Sequence, residues 1–535
     1  MKKSRLSLKH IVVWALVIGL LATMGLAAAA GTAQAATRYK LSATGAGTVT
    51  TGTSHKLTVR YTKNGKPVKS AKVKLQYKKG SKWVTDKTVT VKNGKATVTV
   101  KSSKARNRTY RFYVKGKAKS TSQLVRFVPA TFTISGSGSG HGVGMSQYGA
   151  YRSALDGKKV ADILGYYYPS AKLGTANNNP RTVKVQILGP GSDSRTSTTL
   201  GFASGPGAKV FTVTDVATGN SQQTAPAARV EIGVSAGKVT ARFVAAGGEQ
   251  TTVAAARLRV NWDNQGIATV AGAQGTYKYG SFLISNLKNQ PNVVNQLAMN
   301  TEYLYGIDEM PSSWGRTSQG MEALKAQVVV ARNYVIAQAG KWKTSDSDYE
   351  TANPACDCHV FDDPRSQNFK GATKSEGADN APWVAAVNAT IQGTQVNVLR
   401  TSSGGIDRAL YFAASGEYQL GGKVYRGTAA EADAFGTAFP AISYHRHVDD
   451  PYSAKAAPAS LKAWTAPLSQ PRAATIFGLT GITRIAVTAR YDGGLVKTLT
   501  ATTTTGKTKS ITRTAEGWRT ALGLKGAWIK SIEPK

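Results

Sequence analysis

Carboxylates are scarce in this chain: 29 Asp and Glu stand against 69 Lys and Arg in 535 residues, so each one set among apolar neighbours is a candidate for proton chemistry. Glu309 is the foremost. It lies in GIDEMPSSW, just before Pro311 and Trp314. A partly apolar, aromatic loop disfavours the charged carboxylate and lifts its pKa toward the range of a general acid. The bland alternative is an acidic residue placed near a helix start for the dipole. Glu322, in MEALKAQ, is the rival carboxylate and reads first as a capping or dipole residue.

Two further constellations carry ligand-type side chains. Cys356, Cys358 and His359 fall in ANPACDCHVF, and thiolate with imidazole is a zinc-type set. The Cys-x-Cys-His spacing is tighter than the usual Cys-x-x-Cys, and no fourth ligand lies nearby. A Cys-x-Cys disulfide in an oxidising compartment is the other reading. His445 and His447, in YHRHVDDPY, would share one face of a strand, as a wall metallopeptidase requires, but the second motif of such an enzyme is missing. No Ser-His-Asp pattern, phosphate loop or dinucleotide fingerprint stands out, so no cofactor is required, with zinc the one candidate.

The elements that must position these residues begin with a β-rich segment. From Thr37 to about Ala130 the chain alternates as half-buried strands do, with Val73, Leu75 and Tyr77 on one face and Lys72, Lys74 and Gln76 on the other. Asn93-Gly94 between two alternating runs predicts a type I′ hairpin. Asp86 is the segment's one acidic residue. The pattern resembles the immunoglobulin-like repeats of bacterial surface proteins and predicts an all-β sandwich over 36–130, a wall-binding or spacer module.

A Gly-rich stretch, GSGHGVGMSQYGA, follows within 131–180, and Ser153 to Tyr168 reads as a helix ended by Pro169. Short alternating strands return from Val183 to about Leu283. Thr317 or Ser318 then caps a strong helix through Leu324, Val328, Ala331 and Val335, with Gly340 beyond its end. The whole of 181–535 reads as an α+β catalytic region.

Lys2, Lys3, Arg5 and Lys9 precede an apolar run, and Ala33-Gln34-Ala35 supplies a cleavage pattern, so residues 1–35 are expected to be a cleaved signal peptide, the alternative being an uncleaved N-terminal membrane anchor. The protein is then secreted and associated with the cell wall. Its net charge of +40 predicts an anionic partner. Outside the cell this means anionic wall polymers and not nucleic acid.

Taken together, GHGVGMSQYGAY (140–151), YLYGIDEMPSSWG with MEALKAQVVVARNYVIAQ (303–338), CHVF (358–361), VDDPYS (448–453) and the terminal WRTALGLKGAWIKSI resemble the stage II sporulation protein D/LytB family of cell-wall proteins. The resemblance implies a lytic transglycosylase acting on peptidoglycan glycan strands free of stem peptides, with Glu309 as catalytic acid. It also implies that His141, Gln147, Tyr148 and Trp314 bind glycan, the alternative for the His141 loop being that it only packs. Some members bind zinc through a His and two Cys, and the LytB branch modulates a cell-wall amidase without catalysis of its own. The sequence departs from relatives in two respects. Its His-Gly-x-Gly-Met-x-Gln element precedes Glu309, and FAASGEYQLGG (412–422) stands where relatives carry a serine-rich stretch.

Overall fold

The computed structural model describes residues 36–178, 181–191, 194–203, 209–226, 228–245, 248, 250–263, 266–345, 350–437 and 442–535. The expected signal peptide lies outside the described residues. The chain forms two compact units. One comprises the described residues up to Ala46 with 56–99 and 109–124; the other comprises 47–55, 100–108 and 125–535.

The smaller unit is strands alone, as the alternation predicted. Tyr39–Thr44, His55–Lys63, Lys95–Val100, Lys82–Lys92, Ser70–Lys79 and Arg106–Val114 lie side by side in that order. The two-residue connection at Asn93-Gly94 has positive φ at both positions, 46° and 74°, which is what a type I′ turn demands. Val73 and Leu75 are fully buried, with Lys72 and Lys74 exposed. The alternation then shifts. A bulge between Leu75 and Gln76 changes the register, and Gln76 is buried while Tyr77 is only half-buried.

In the larger unit, a seven-stranded and a six-stranded sheet built almost wholly from Thr182 to Ala298 pack face to face. Their core continues onto the helix Ser318–Gly340, which is buried along most of its length. That helix starts where the capping chemistry placed it: the Thr317 hydroxyl accepts the Gly320 N–H at 3.0 Å. The expected helix from Ser153 to Tyr168 is instead two, Gln147–Leu155 and Val160–Tyr167, parted by Gly157 at φ +90°. Glu322 does cap a helix, though not its own. Its carboxylate accepts the Val160 N–H at 2.9 Å while pairing with Lys325.

A second core gathers residues from both ends of this unit. Strand Thr131–Ser137 is flanked by Trp464–Ser469 and Trp528–Pro534, and Phe132, Ile134 and Val143 pack with Trp518 and Trp528. The Gly-rich stretch runs from this core into the first one. Its glycines permit close approach to the protein's own backbone. A Cβ on Gly144, at φ +77°, would sit 1.9 Å from the Leu410 carbonyl oxygen, and one on Gly149 2.0 Å from the Tyr167 hydroxyl.

Candidate active site

Glu309 lies in the loop between Ile307 and the Ser312–Arg316 turn, partly exposed, and the loop is clamped by a second segment distant in sequence. Asp308 N–H donates to the Asn368 carbonyl at 2.8 Å, and Lys370 N–H to the Gly306 carbonyl at 2.8 Å. Glu309 Oε1 accepts the Asn368 N–H at 2.7 Å. Its backbone carbonyl accepts Gln147 Nε2 at 3.0 Å.

A hydrogen-bond chain runs up to the same carboxyl. The Tyr303 hydroxyl donates to Gln367 Oε1 at 2.9 Å and Gln367 Nε2 donates to the Tyr411 hydroxyl at 2.9 Å, and the Tyr411 phenol beside Glu309 favours its ionised form. Tyr303 and Gln367 are buried. Burial, with the charge of Glu309 adding to it, holds the Tyr411 phenol well above its ordinary pKa, so Tyr411 stays protonated beside the carboxyl. The Gly-rich stretch completes the arrangement, since Met145–Ser146 runs parallel to Tyr411–Phe412 and Gln147 begins the next helix.

The adjacent carboxyls Asp308 and Glu309 are driven apart. Burial raises the Glu309 pKa, the neighbouring Asp308 charge adds to the rise, and the bond from Asn368 and the Tyr411 phenol offset only part of it. For Asp308 burial also pushes up, but Lys370 at 2.7 Å and Lys374 at 2.9 Å outweigh it and hold that carboxyl below the ordinary range. The two neighbouring acids thus have opposed environments: one is pushed toward its protonated form, the other is held as an anion beside lysines.

Beside this loop stands an aromatic trio. Trp314 stacks on Tyr151 with ring centroids 4.2 Å apart and meets Tyr148 edge-on at 5.1 Å; all three are partly exposed. Partly exposed aromatic faces next to a proton donor suit a sugar ring.

The other residues singled out in the sequence occupy different places. Gln147 is buried and spends its amide on Glu309 O and, at 3.4 Å, on Gln327. His141 belongs to the second core: its Nδ1 accepts the Val143 N–H at 3.1 Å, and its ring packs on Phe412 and Phe435. Burial lowers its pKa to about 4, so it is neutral at ordinary pH.

Cys356 and Cys358 are joined in a disulfide, with Cα atoms 5.1 Å apart. His359 has both ring nitrogens engaged, Nδ1 by the Lys184 N–H and Nε2 by the Thr351 carbonyl. As bonded here these three residues do not fit zinc, and among the described residues no group of three or more His, Cys, Asp and Glu could hold a metal. His445 is buried against Glu431 and accepts the Leu410 N–H, whereas His447 is exposed and bonds the Thr428 carbonyl. They share no face.

Sequence reasoning missed Tyr411, Gln367 and Asn368. They reach Glu309 from segments about 60 and 100 residues away, and neither their types nor their local pattern sets them apart.

Residues 288–400, which carry Glu309, the buried helix and Asn368, match the model of the stage II sporulation protein family. A stretch of 55 residues is 49% identical to the amidase enhancer of Bacillus subtilis, covering 10% of this chain and 8% of that protein. A stretch of 47 residues is 51% identical to stage II sporulation protein D of the same organism, covering 9% of this chain and 14% of that protein. Stage II sporulation protein D of Bacillus amyloliquefaciens gives 50% identity over 48 residues. The chain thus spans less than a sixth of the length of these relatives. The likeness to the stage II sporulation protein family thus rests on this domain.

Proposed function

We propose that this chain, through its domain like the stage II sporulation protein family, is an exported peptidoglycan lytic transglycosylase, cleaving the MurNAc–GlcNAc bond of glycan strands freed of stem peptides, with Glu309 as its acid. The observation that carries the reading is the pair of adjacent carboxyls with opposed environments, Glu309 raised and Asp308 lowered, beside the Tyr148–Tyr151–Trp314 surface.

Protonated Glu309 donates its proton to the glycosidic oxygen as the bond to the anomeric carbon breaks. The resulting carboxylate then takes the proton from the C6 hydroxyl of the same sugar while that oxygen bonds to the anomeric carbon, closing a 1,6-anhydro ring. One carboxyl serves both steps and is returned protonated. The arrangement differs from that of glycosidases using two carboxyls, and Asp308, engaged by Lys370 and Lys374, is not free to act as a second. Asn368 donates to the carboxylate formed midway, the Tyr411 phenol favours its charge, and Gln147 fixes the backbone that carries it. The N-terminal β module, read as immunoglobulin-like, serves to hold the enzyme at the wall.

The likeness to an amidase enhancer favours one other reading, a glycan-binding protein that modulates a cell-wall amidase without cleaving glycan itself. Incubation of stem-peptide-free and intact glycan strands with the protein, and separately with Glu309→Gln, distinguishes them by mass spectrometry. Anhydro-muramyl ends from the wild type alone support the enzyme. No new ends from either protein, with amidase turnover raised equally by both, supports the modulator.

A further inference from the structure

More than half of the protein's net charge of +40 lies in one module: residues 37–130 hold 24 Lys and Arg against the single Asp86. Within the smaller unit, one sheet face organises part of it. Lys72, Lys74 and Lys78 alternate along strand Ser70–Lys79 and are exposed. Across the register, Lys72 faces Thr90, Lys74 lies between Thr88 and Tyr113, and Gln76 lies between Thr85 and Arg111. The Arg111 guanidinium stands 4.1 Å from the Trp83 ring and 5.5 Å from that of Tyr113, and its Nε donates to Gln76 Oε1 at 2.9 Å. Three uncharged supports thus hold the guanidinium in place while its two terminal nitrogens keep their donors. None of Lys72, Lys74, Lys78 and Arg111 has a carboxylate partner among the described residues.

We propose that this face, Lys72, Lys74, Lys78 and Arg111 with the hydroxyls of Thr85, Thr88 and Thr90, binds an anionic polymer of phosphodiester-linked polyol units. Lys72 and Lys74, at alternate strand positions, stand about 7 Å apart, and Lys78 about twice that beyond Lys74, with Gln76 and Arg111 between. That spacing suits a chain with one charge per short repeat better than a glycan with one carboxylate per two sugars. A guanidinium fork matches phosphate oxygens, and threonine hydroxyls exchange hydrogen bonds with the polyol between them. The assignment is independent of Glu309 and its chemistry.

The test uses the whole chain and three probes of matched length: poly(glycerol phosphate), poly-glutamate and single-stranded DNA. Affinity is measured from about 50 to 200 mM salt. The expected result is tightest binding to poly(glycerol phosphate), with Lys72→Glu/Lys74→Glu weakening it at least tenfold and reducing the salt slope by about two. Arg111→Met should weaken it separately. A control of equal charge change, Lys40→Glu/Lys56→Glu, lies on other strands and should cost much less. Equal loss from the control, or poly-glutamate or DNA bound as tightly as the polyol phosphate, would overturn the proposal. Melting curves confirm that each variant is folded.

Discussion

Replacing Tyr411 by phenylalanine removes one hydroxyl and nothing else from the chain Tyr303–Gln367–Tyr411 beside Glu309. The hydroxyl favours the ionised carboxylate, so its loss disfavours the ionised form of Glu309. A hydrogen bond to a charged group is worth about 1.5–3 kcal/mol. At about 1.4 kcal/mol per pH unit, the Glu309 pKa should rise by one to two units. The acid must be protonated when the substrate binds, so activity falls as pH rises through that pKa. In Tyr411→Phe the alkaline limb of kcat/KM for release of anhydro-muramyl ends should therefore move up by the same one to two units. The maximal rate should fall, because the carboxylate formed midway has lost the neighbour that favours it. Tyr303→Phe, which reaches Tyr411 only through Gln367, should shift the limb less. An unmoved or downward-shifted limb in Tyr411→Phe would refute the assigned influence of Tyr411 on Glu309.

Three other outcomes are expected. Because the Glu309 pKa is raised on folding, its contribution to stability is fully present below the unfolded pKa and is lost as pH rises through the folded one; the melting temperature of wild type should thus fall relative to Glu309→Gln between acid and neutral pH, and parallel curves would contradict this. Arg332 is fully buried and donates to Asn397 O, Thr390 Oγ1 and Asn300 O. Arg332→Met should leave buried acceptors unpaired and cost about 3 kcal/mol or more in urea unfolding, and a loss under 1 kcal/mol would show the network to be dispensable. Thiol titration of the unreduced protein should find no free cysteine and metal analysis no zinc, whereas two thiols with one zinc per chain would contradict the Cys356–Cys358 pairing.

How much could be read from the sequence depended on how local each signal was. The Asn93-Gly94 turn and the Thr317 cap are decided within a few residues, and both hold in the structure. The helix expected from Ser153 to Tyr168 missed its division because the apolar spacing carries across Gly157, whose positive φ breaks it. The raised pKa of Glu309 was legible from the apolar and aromatic residues around it. Its partners were not, since Asn368 and Tyr411 meet it only through tertiary pairing. The Gly-rich stretch misled in another way. Glycine marks close approach of backbone, but not to what, and at Gly144 and Gly149 the neighbour is the protein's own chain.

The central claim, that Glu309 alone closes an anhydro ring without water, is tested most directly by digesting stem-peptide-free glycan strands in heavy-oxygen water and weighing the new ends. The account predicts anhydro-muramyl ends with no heavy oxygen from the wild type and no new ends from Glu309→Gln. Reducing ends labelled with heavy oxygen, or equal cleavage by the variant, would contradict it.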